Sequence, residues 1–178
     1  MTKREIERAV QPSLLDRLTD YEPKNLSSEG RVGYLESVRQ FKAGLQRDLS
    51  WLLNTRRIPV SAPEEFEELA QSVYHYGLPD ITSISRDSNE ARDRLLRRVE
   101  DLIAQFEPRL DNVSISVVEM ESEQHRRELR FHVEGTLLMD PTPEQVIFDT
   151  VLHFASGEYE VGGAGGAAAS TAGAARGA

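Results

Sequence analysis

The sequence predicts an α+β domain in which N-terminal helices pack on one face of a small antiparallel β-meander. A change of rhythm carries that reading. Up to Phe106 the apolar residues recur at helical spacing, and after Pro108 the period falls to two. Strands that alternate apolar with polar residues leave one face to water, so the preceding helices must cover the other. The length of 178 residues suits one domain, large enough to bury roughly two thirds of its unfolded surface without staples.

Ser13 and Asp16 form a capping-box pattern that opens a short helix through Leu14, Leu15 and Leu18. Tyr21 to Gly33, with Pro23, Asn25, Ser27, Ser28 and Gly30, reads as a loop. The longest helix follows, where Tyr34, Val38, Phe41, Leu45, Leu49 and Leu52 keep one stripe on one face. A second helix is expected from Pro63 to Tyr76, opened by Ser61 and Glu64 and stopped by Gly77 and Pro79. Its apolar face would be Phe66, Leu69, Val73 and Tyr76. A third spans Asn89 to Phe106 on Ala91, Leu95, Val99, Leu102 and Phe106, and Pro108 ends it.

Three strands are expected next, at Val113–Val117, Leu129–Met139 and Val146–Phe154, joined by polar connections at Met120–Arg126 and Asp140–Pro143. Gly162 to Ala178 holds six glycines and eight alanines. It has no large side chain to bury and reads as a flexible tail. The expected organisation is an N-terminal extension over 1–11, one domain over 12–161 and the tail over 162–178.

Cysteine is absent, which removes disulfides, iron–sulfur clusters, thiolate zinc sites and cysteine nucleophiles. The 30 acids against 21 Lys and Arg leave a formal net charge of −9. That is the wrong sign for gripping a phosphate backbone, so no nucleic-acid partner is expected. The arginine pair Arg97-Arg98 stands among Glu90, Asp93, Glu100 and Asp101 and reads as helix-surface pairing. No stretch approaches the roughly 20 apolar residues that span a bilayer. Met1 to Val10 carries Lys3, Arg4, Glu5, Glu7 and Arg8 in place of an apolar leader core. No membrane insertion is expected, and the cytoplasm is the expected compartment.

The histidines His75, His125, His132 and His153 lack helical ligand spacing, and no third ligand joins His132 and His153. Neither a metal nor a cofactor is expected. No serine stands in a Gly-x-Ser-x-Gly elbow, and the folded region has no glycine-rich phosphate loop. Acids such as Glu64, Glu65, Glu67 and Glu68 read as a solvated helix face, not as the facing acid pair of a glycosidase. No catalytic residue is assigned.

Two features remain as partner-binding candidates. On a wheel of about 100° per residue, Trp51 lies roughly 120° from the centre of the long helix's stripe. It points away from that helix's own core face. Either the Pro23 loop or the N-terminal helix covers it, or it is an anchor for a partner. Glu107-Pro108-Arg109 sits where the third helix gives way to the first strand. Proline keeps Glu107 out of the helical region and gives two opposite charges a defined aim, unless they are merely solvated charges at a helix stop.

Four segments stand in a fixed order: Pro12-Ser13-Leu14-Leu15-Asp16-Arg17-Leu18, then Arg47-Asp48-Leu49 with Leu52-Leu53-Asn54-Thr55-Arg56-Arg57, then Tyr76-Gly77-Leu78-Pro79-Asp80, then Phe106-Glu107-Pro108-Arg109-Leu110. Together they resemble the baseplate wedge family of contractile injection systems. Wedge subunits of the type VI secretion system belong to it, as do phage tail wedge proteins sometimes labelled lysozyme-like. The resemblance spans Pro12 to Val161. It implies a cytoplasmic, non-catalytic subunit that joins the wedge proteins TssF, TssG and TssK around a spike hub and helps start the TssB–TssC sheath. It also implies that Glu107, Pro108 and Arg109 dock on the bundled helices of the wedge. No catalytic pair carries over from the lysozyme-like label. A peptidoglycan-degrading enzyme and an adaptor that regulates proteolysis on the same fold stay open as alternatives. For the sheath, the outer strand Val146–Phe154 is expected to offer its backbone edge.

Overall fold

The structure is a computed structural model that describes residues 10–19, 33–63, 65–80, 88–119, 127–140 and 142–166. Its helices are α1 (Leu14–Leu18), α2 (Tyr34–Asn54), α3 (Glu67–Ala70) and α4 (Asn89–Phe106). They precede four strands, β1 (Leu110–Val117), β2 (Glu128–Leu137), β3 (Glu144–His153) and β4 (Glu158–Gly166). The strands form one sheet in the order β1-β2-β3-β4, antiparallel throughout. The α+β class is as the sequence predicts.

Alternation decides which face of the sheet is dry. Leu129, Phe131, Val133 and Leu137 of β2, with Val146, Phe148 and Leu152 of β3, are buried to 1% exposure or less. They join one cluster with Leu45 and Leu49 of α2 and Val99 and Ile103 of α4. Their neighbours face water, where His132 Nδ1 of β2 sits 2.7 Å from Asp149 Oδ1 of β3. The stripe on α2 is buried as its spacing requires, from Phe41 through Leu45 and Leu49 to Leu52. At the start of α1, the Ser13 hydroxyl accepts from the Asp16 N–H, the cap that the sequence predicts.

Several expectations are corrected. The helix over Pro63–Tyr76 shrinks to α3 and a 3₁₀ turn at Val73–His75. Of its apolar face only Tyr76 reaches the core, while Phe66 is 57% and Val73 82% exposed. Ser72 meanwhile competes for the backbone, donating to Leu69 O and accepting from Tyr74 N–H. Glu64 of the expected capping box lies outside the described residues, as do the loop expected over 21–32 and the connection over 120–126.

A fourth strand follows the three expected, and it enters the glycine-rich stretch. β4 pairs with β3 through Gly166, so the domain does not stop at Val161. Strand pairing uses backbone groups, which glycine supplies as well as any residue. A Cβ on Gly162 would stand 3.0 Å from Asp149 O, where the ladder slips its register. β3 is consequently an inner strand with neighbours on both sides, not the outer edge expected of Val146–Phe154. The N-terminal boundary moves too. Val10 is 7% exposed, inside the core, and donates its N–H to Ser37 Oγ.

Leu49, 1% exposed at mid-stripe, tests the helix–sheet interface. Leu49→Ala is expected to cost about 2–5 kcal/mol in a denaturant or thermal melt. An unchanged midpoint would show that the stripe is not the core face.

Candidate functional site

The corner between α4 and β1 is built by two residues that cannot continue a helix. Pro108 ends α4, and Glu107, in the cap position, takes φ −121° and ψ 78°. The turn brings Arg109 back onto Glu107. Glu107 Oε1 accepts from Arg109 Nε at 2.6 Å and from the Arg109 backbone N–H at 3.3 Å, and Oε2 accepts from Nη2. Glu107 is only 5% exposed. The two charges therefore face each other instead of leaving the corner as an outward pair. Pro108 alone of the three is exposed.

Arg109 continues the contact to α2. Its Nη2 donates to Asp48 Oδ2 at 2.7 Å, and its guanidinium lies over the Phe41 ring, 5.8 Å from the centroid. Asp48 then accepts from Arg47 through Oδ1, and Arg47 Nη1 reaches Asp16 Oδ1 of α1 at 2.5 Å. Glu107, Arg109, Asp48, Arg47 and Asp16 thus form one unbroken chain of charge-assisted hydrogen bonds from the corner between α4 and β1 through α2 to α1. Each guanidinium lies between two carboxylates, an arrangement that offsets much of their desolvation, with Arg109 Nη1 left buried without a hydrogen-bond partner among the described residues. Gly44 lets α1 come this close, since a Cβ there would meet Asp16 Oδ2 at 2.9 Å.

Tyr76 borders the chain. It packs edge-on against Phe106 at 5.4 Å, and its phenol is pushed up by burial and by the charges of Asp48 and Glu107. It is carried there by a parallel bridge in which Leu78 N–H donates to Thr55 O and Arg57 N–H to Leu78 O. Gly77 must be glycine, because its φ is +95° and a Cβ would lie 2.3 Å from Thr55 O.

Trp51 is 51% exposed, one turn along α2 from Arg47, whose guanidinium stacks 4.8 Å above its ring. Nearby α1 is arranged inside out. It turns Asp16 inward while Leu14 is 70%, Leu15 48% and Leu18 75% exposed. Of the candidates taken from sequence, Glu107 and Arg109 are brought together and Trp51 lies at the far end of the same chain. Asp16, Arg47 and Asp48 complete the chain, and no site motif in the sequence marks them as its partners. The available signal was a pair of adjacent charges in the middle of an apolar-striped helix. Among the described residues no group of three or more His, Asp or Glu could hold a metal ion, and no helix is long and apolar enough to cross a membrane.

Residues 39–142 match a family described as baseplate wedge protein gp25. The match runs from α2 to the end of β2 and contains Arg47, Asp48, Trp51, Tyr76, Glu107 and Arg109. No curated protein and no solved structure matches the chain.

Two outcomes follow from the charge chain. Glu107→Ala strips a partly buried guanidinium of its main acceptor and is expected to cost about 1.5–3 kcal/mol, far above a solvated surface change. Glu107→Gln, which keeps one acceptor oxygen, should cost less, and equal melts for all three proteins would remove the chain from the stability of the fold. Asp16 provides a pH test. Burial raises its pKa, but the Ser13 hydroxyl and the Arg47 guanidinium outweigh that and hold it below its ordinary 3.8. A lowered folded pKa gives stability that is present above the ordinary value and lost as pH falls through the folded one. The midpoint of wild type should therefore drop more steeply below pH 3.8 than that of Asp16→Asn, as a pH series of thermal melts would read.

Proposed function

The chain belongs to the gp25 baseplate wedge family, and from that premise we propose that it is a TssE-like, non-catalytic subunit of a type VI secretion baseplate that acts in the cytoplasm. A structural role in a baseplate is what the family match supports. The finer reading is that the chain docks on the bundled helices of the wedge, joins TssF, TssG and TssK around the spike hub, and offers a template to the TssB–TssC sheath.

The observation that carries it is convergence. Asp16, Arg47 with Asp48, Tyr76 and Glu107 with Arg109 come from four separate segments and meet at one corner. Trp51 and the leucines of α1 stand in water beside it. In this reading Glu107 and Arg109 act by holding the corner rigid with Pro108 at its tip. Trp51, with Arg47 stacked on it, supplies the contact area, an aromatic anchor of the kind that dominates interfaces.

The sheath template is the β1 edge, in place of β3. Val118 N–H donates to Arg130 O, so the alternation of an antiparallel ladder turns the backbone groups of Ile115 and Val117 away from β2. An extended segment can add there as a fifth strand.

A pull-down of TssF–TssG tests the docking. Trp51→Ala should keep the wild-type melt and lose about thirty-fold or more in affinity, which corresponds to roughly 2 kcal/mol or more at an anchor residue. Arg109→Lys, which cannot copy the planar fork, should weaken both the melt and the capture. Undiminished capture by a folded Trp51→Ala would remove the anchor. For the edge, Ile115→Pro removes a donor that faces outward and leaves the ladder to β2 intact. Sheath assembly on this folded variant would rule out β1.

A further inference from the structure

The two edges of the sheet are dressed differently. In an antiparallel strand every second residue turns its N–H and C=O away from its neighbour. On β4 these are Tyr159 and Val161, and α2 meets both. Asn54 Nδ2 donates to Tyr159 O at 2.9 Å, and the Tyr159 N–H donates back to Asn54 Oδ1 at 2.9 Å. One side-chain amide thereby makes both bonds that the next strand would make. About two turns earlier on α2, Gln46 Nε2 donates to Val161 O at 2.7 Å. Tyr159 itself is 3% exposed, its ring turned into the core edge-on against Phe131. On β1 no hydrogen bond to the backbone of Ile115 or Val117 is made from outside the sheet among the described residues.

We infer that Asn54 and Gln46 are the residues that decide which edge of the sheet accepts a strand. They hold the β4 edge shut with side-chain amides, so strand addition is confined to β1. The inference rests on the reading that this sheet receives a strand from a partner, and it names what gives that event one direction. Glycine-rich β4 has special need of such a seal. Past Val161 it carries Gly162, Gly163, Ala164, Gly165 and Gly166, with no charge, proline or bulky side chain of its own to repel another edge. The occupant excluded is a second copy of this chain, whose identical β4 would pair edge to edge in an antiparallel, two-fold fashion.

The test uses the purified full chain alone, so it does not depend on any wedge or sheath protein. Asn54→Ala/Gln46→Ala is expected to turn a monomer into a concentration-dependent dimer over about 1–100 μM, read by sedimentation or light scattering. Adding Val161→Pro, whose N–H faces outward and contributes nothing to the β3 ladder, should return it to a monomer. Hydrogen exchange should show the Tyr159 amide losing protection in Asn54→Ala while the Glu160 amide, on the β3 side, keeps it. A double variant with an exposed Tyr159 amide that stays monomeric throughout overturns the inference. If the double variant does not fold, Asn54→Ser, too short to reach either backbone group of Tyr159, reads the same outcome, and a monomer there with an exposed Tyr159 amide overturns the inference equally. Failure of the β1 reading would appear separately, as sheath assembly on Ile115→Pro with these dimerisation results unchanged.

Discussion

Glu107 ends α4 with 5% of its surface in water, and a carboxylate is tolerated there because Arg109 closes on it two residues later. Left unpaired, either charge would cost several kcal/mol of desolvation. The pair forms only if the chain turns at Pro108, so the direction of β1 relative to α4 is tied to the satisfaction of two charges. Arg109 then extends the same requirement to α2 through Asp48, and Arg47 extends it to α1 through Asp16. Sheet, long helix and N-terminal strap are thus fixed in mutual orientation by one polar chain laid beside the apolar core. Hydrophobic burial holds the layers together without direction, and the charges choose the angle at which they meet.

α2 serves three surroundings at once, and its sequence divides accordingly. Its stripe from Phe41 to Leu52 faces the sheet. Arg47 and Asp48 carry the charge chain, and Gly44 leaves room for α1. Gln46 and Asn54 attend to the edge of β4. Little of the helix is left for solvent, which explains why, from Phe41 to its end, only Ala43, Trp51 and Asn54 are exposed.

The elements most legible in the sequence were those whose pattern is repeated often enough to outvote local detail. The α2 stripe, α4 and the alternation in β2 and β3 are of this kind. Where a pattern was short, tertiary context overrode it. The face of Phe66 and Val73 had helical spacing but no surface to meet, so α3 stopped after four residues. β4 escaped notice because its second half has no side chains to alternate, and its pairing is a matter of backbone alone. The site was half legible. Glu107 and Arg109 stood out through the proline between them, but sequence spacing cannot show that Asp48, far away along the chain, lies 2.7 Å from Arg109. The solvated-charge alternative for this motif fails on burial, since Glu107 is 5% exposed and Arg109 bonds both to it and to Asp48 of α2.

The inverted arrangement of α1 has a thermodynamic consequence. Leu14 and Leu18 gain little from folding, because most of their surface stays wet in the native state. A partner surface shaped to α1 favours the folded form, in which Ser13, Asp16 and Arg47 hold the short helix in place. By mass action such binding raises the free energy of unfolding. The melting temperature of the isolated chain is therefore a lower bound on that of the assembled subunit, and the difference between them would grow with the concentration of whatever buries α1.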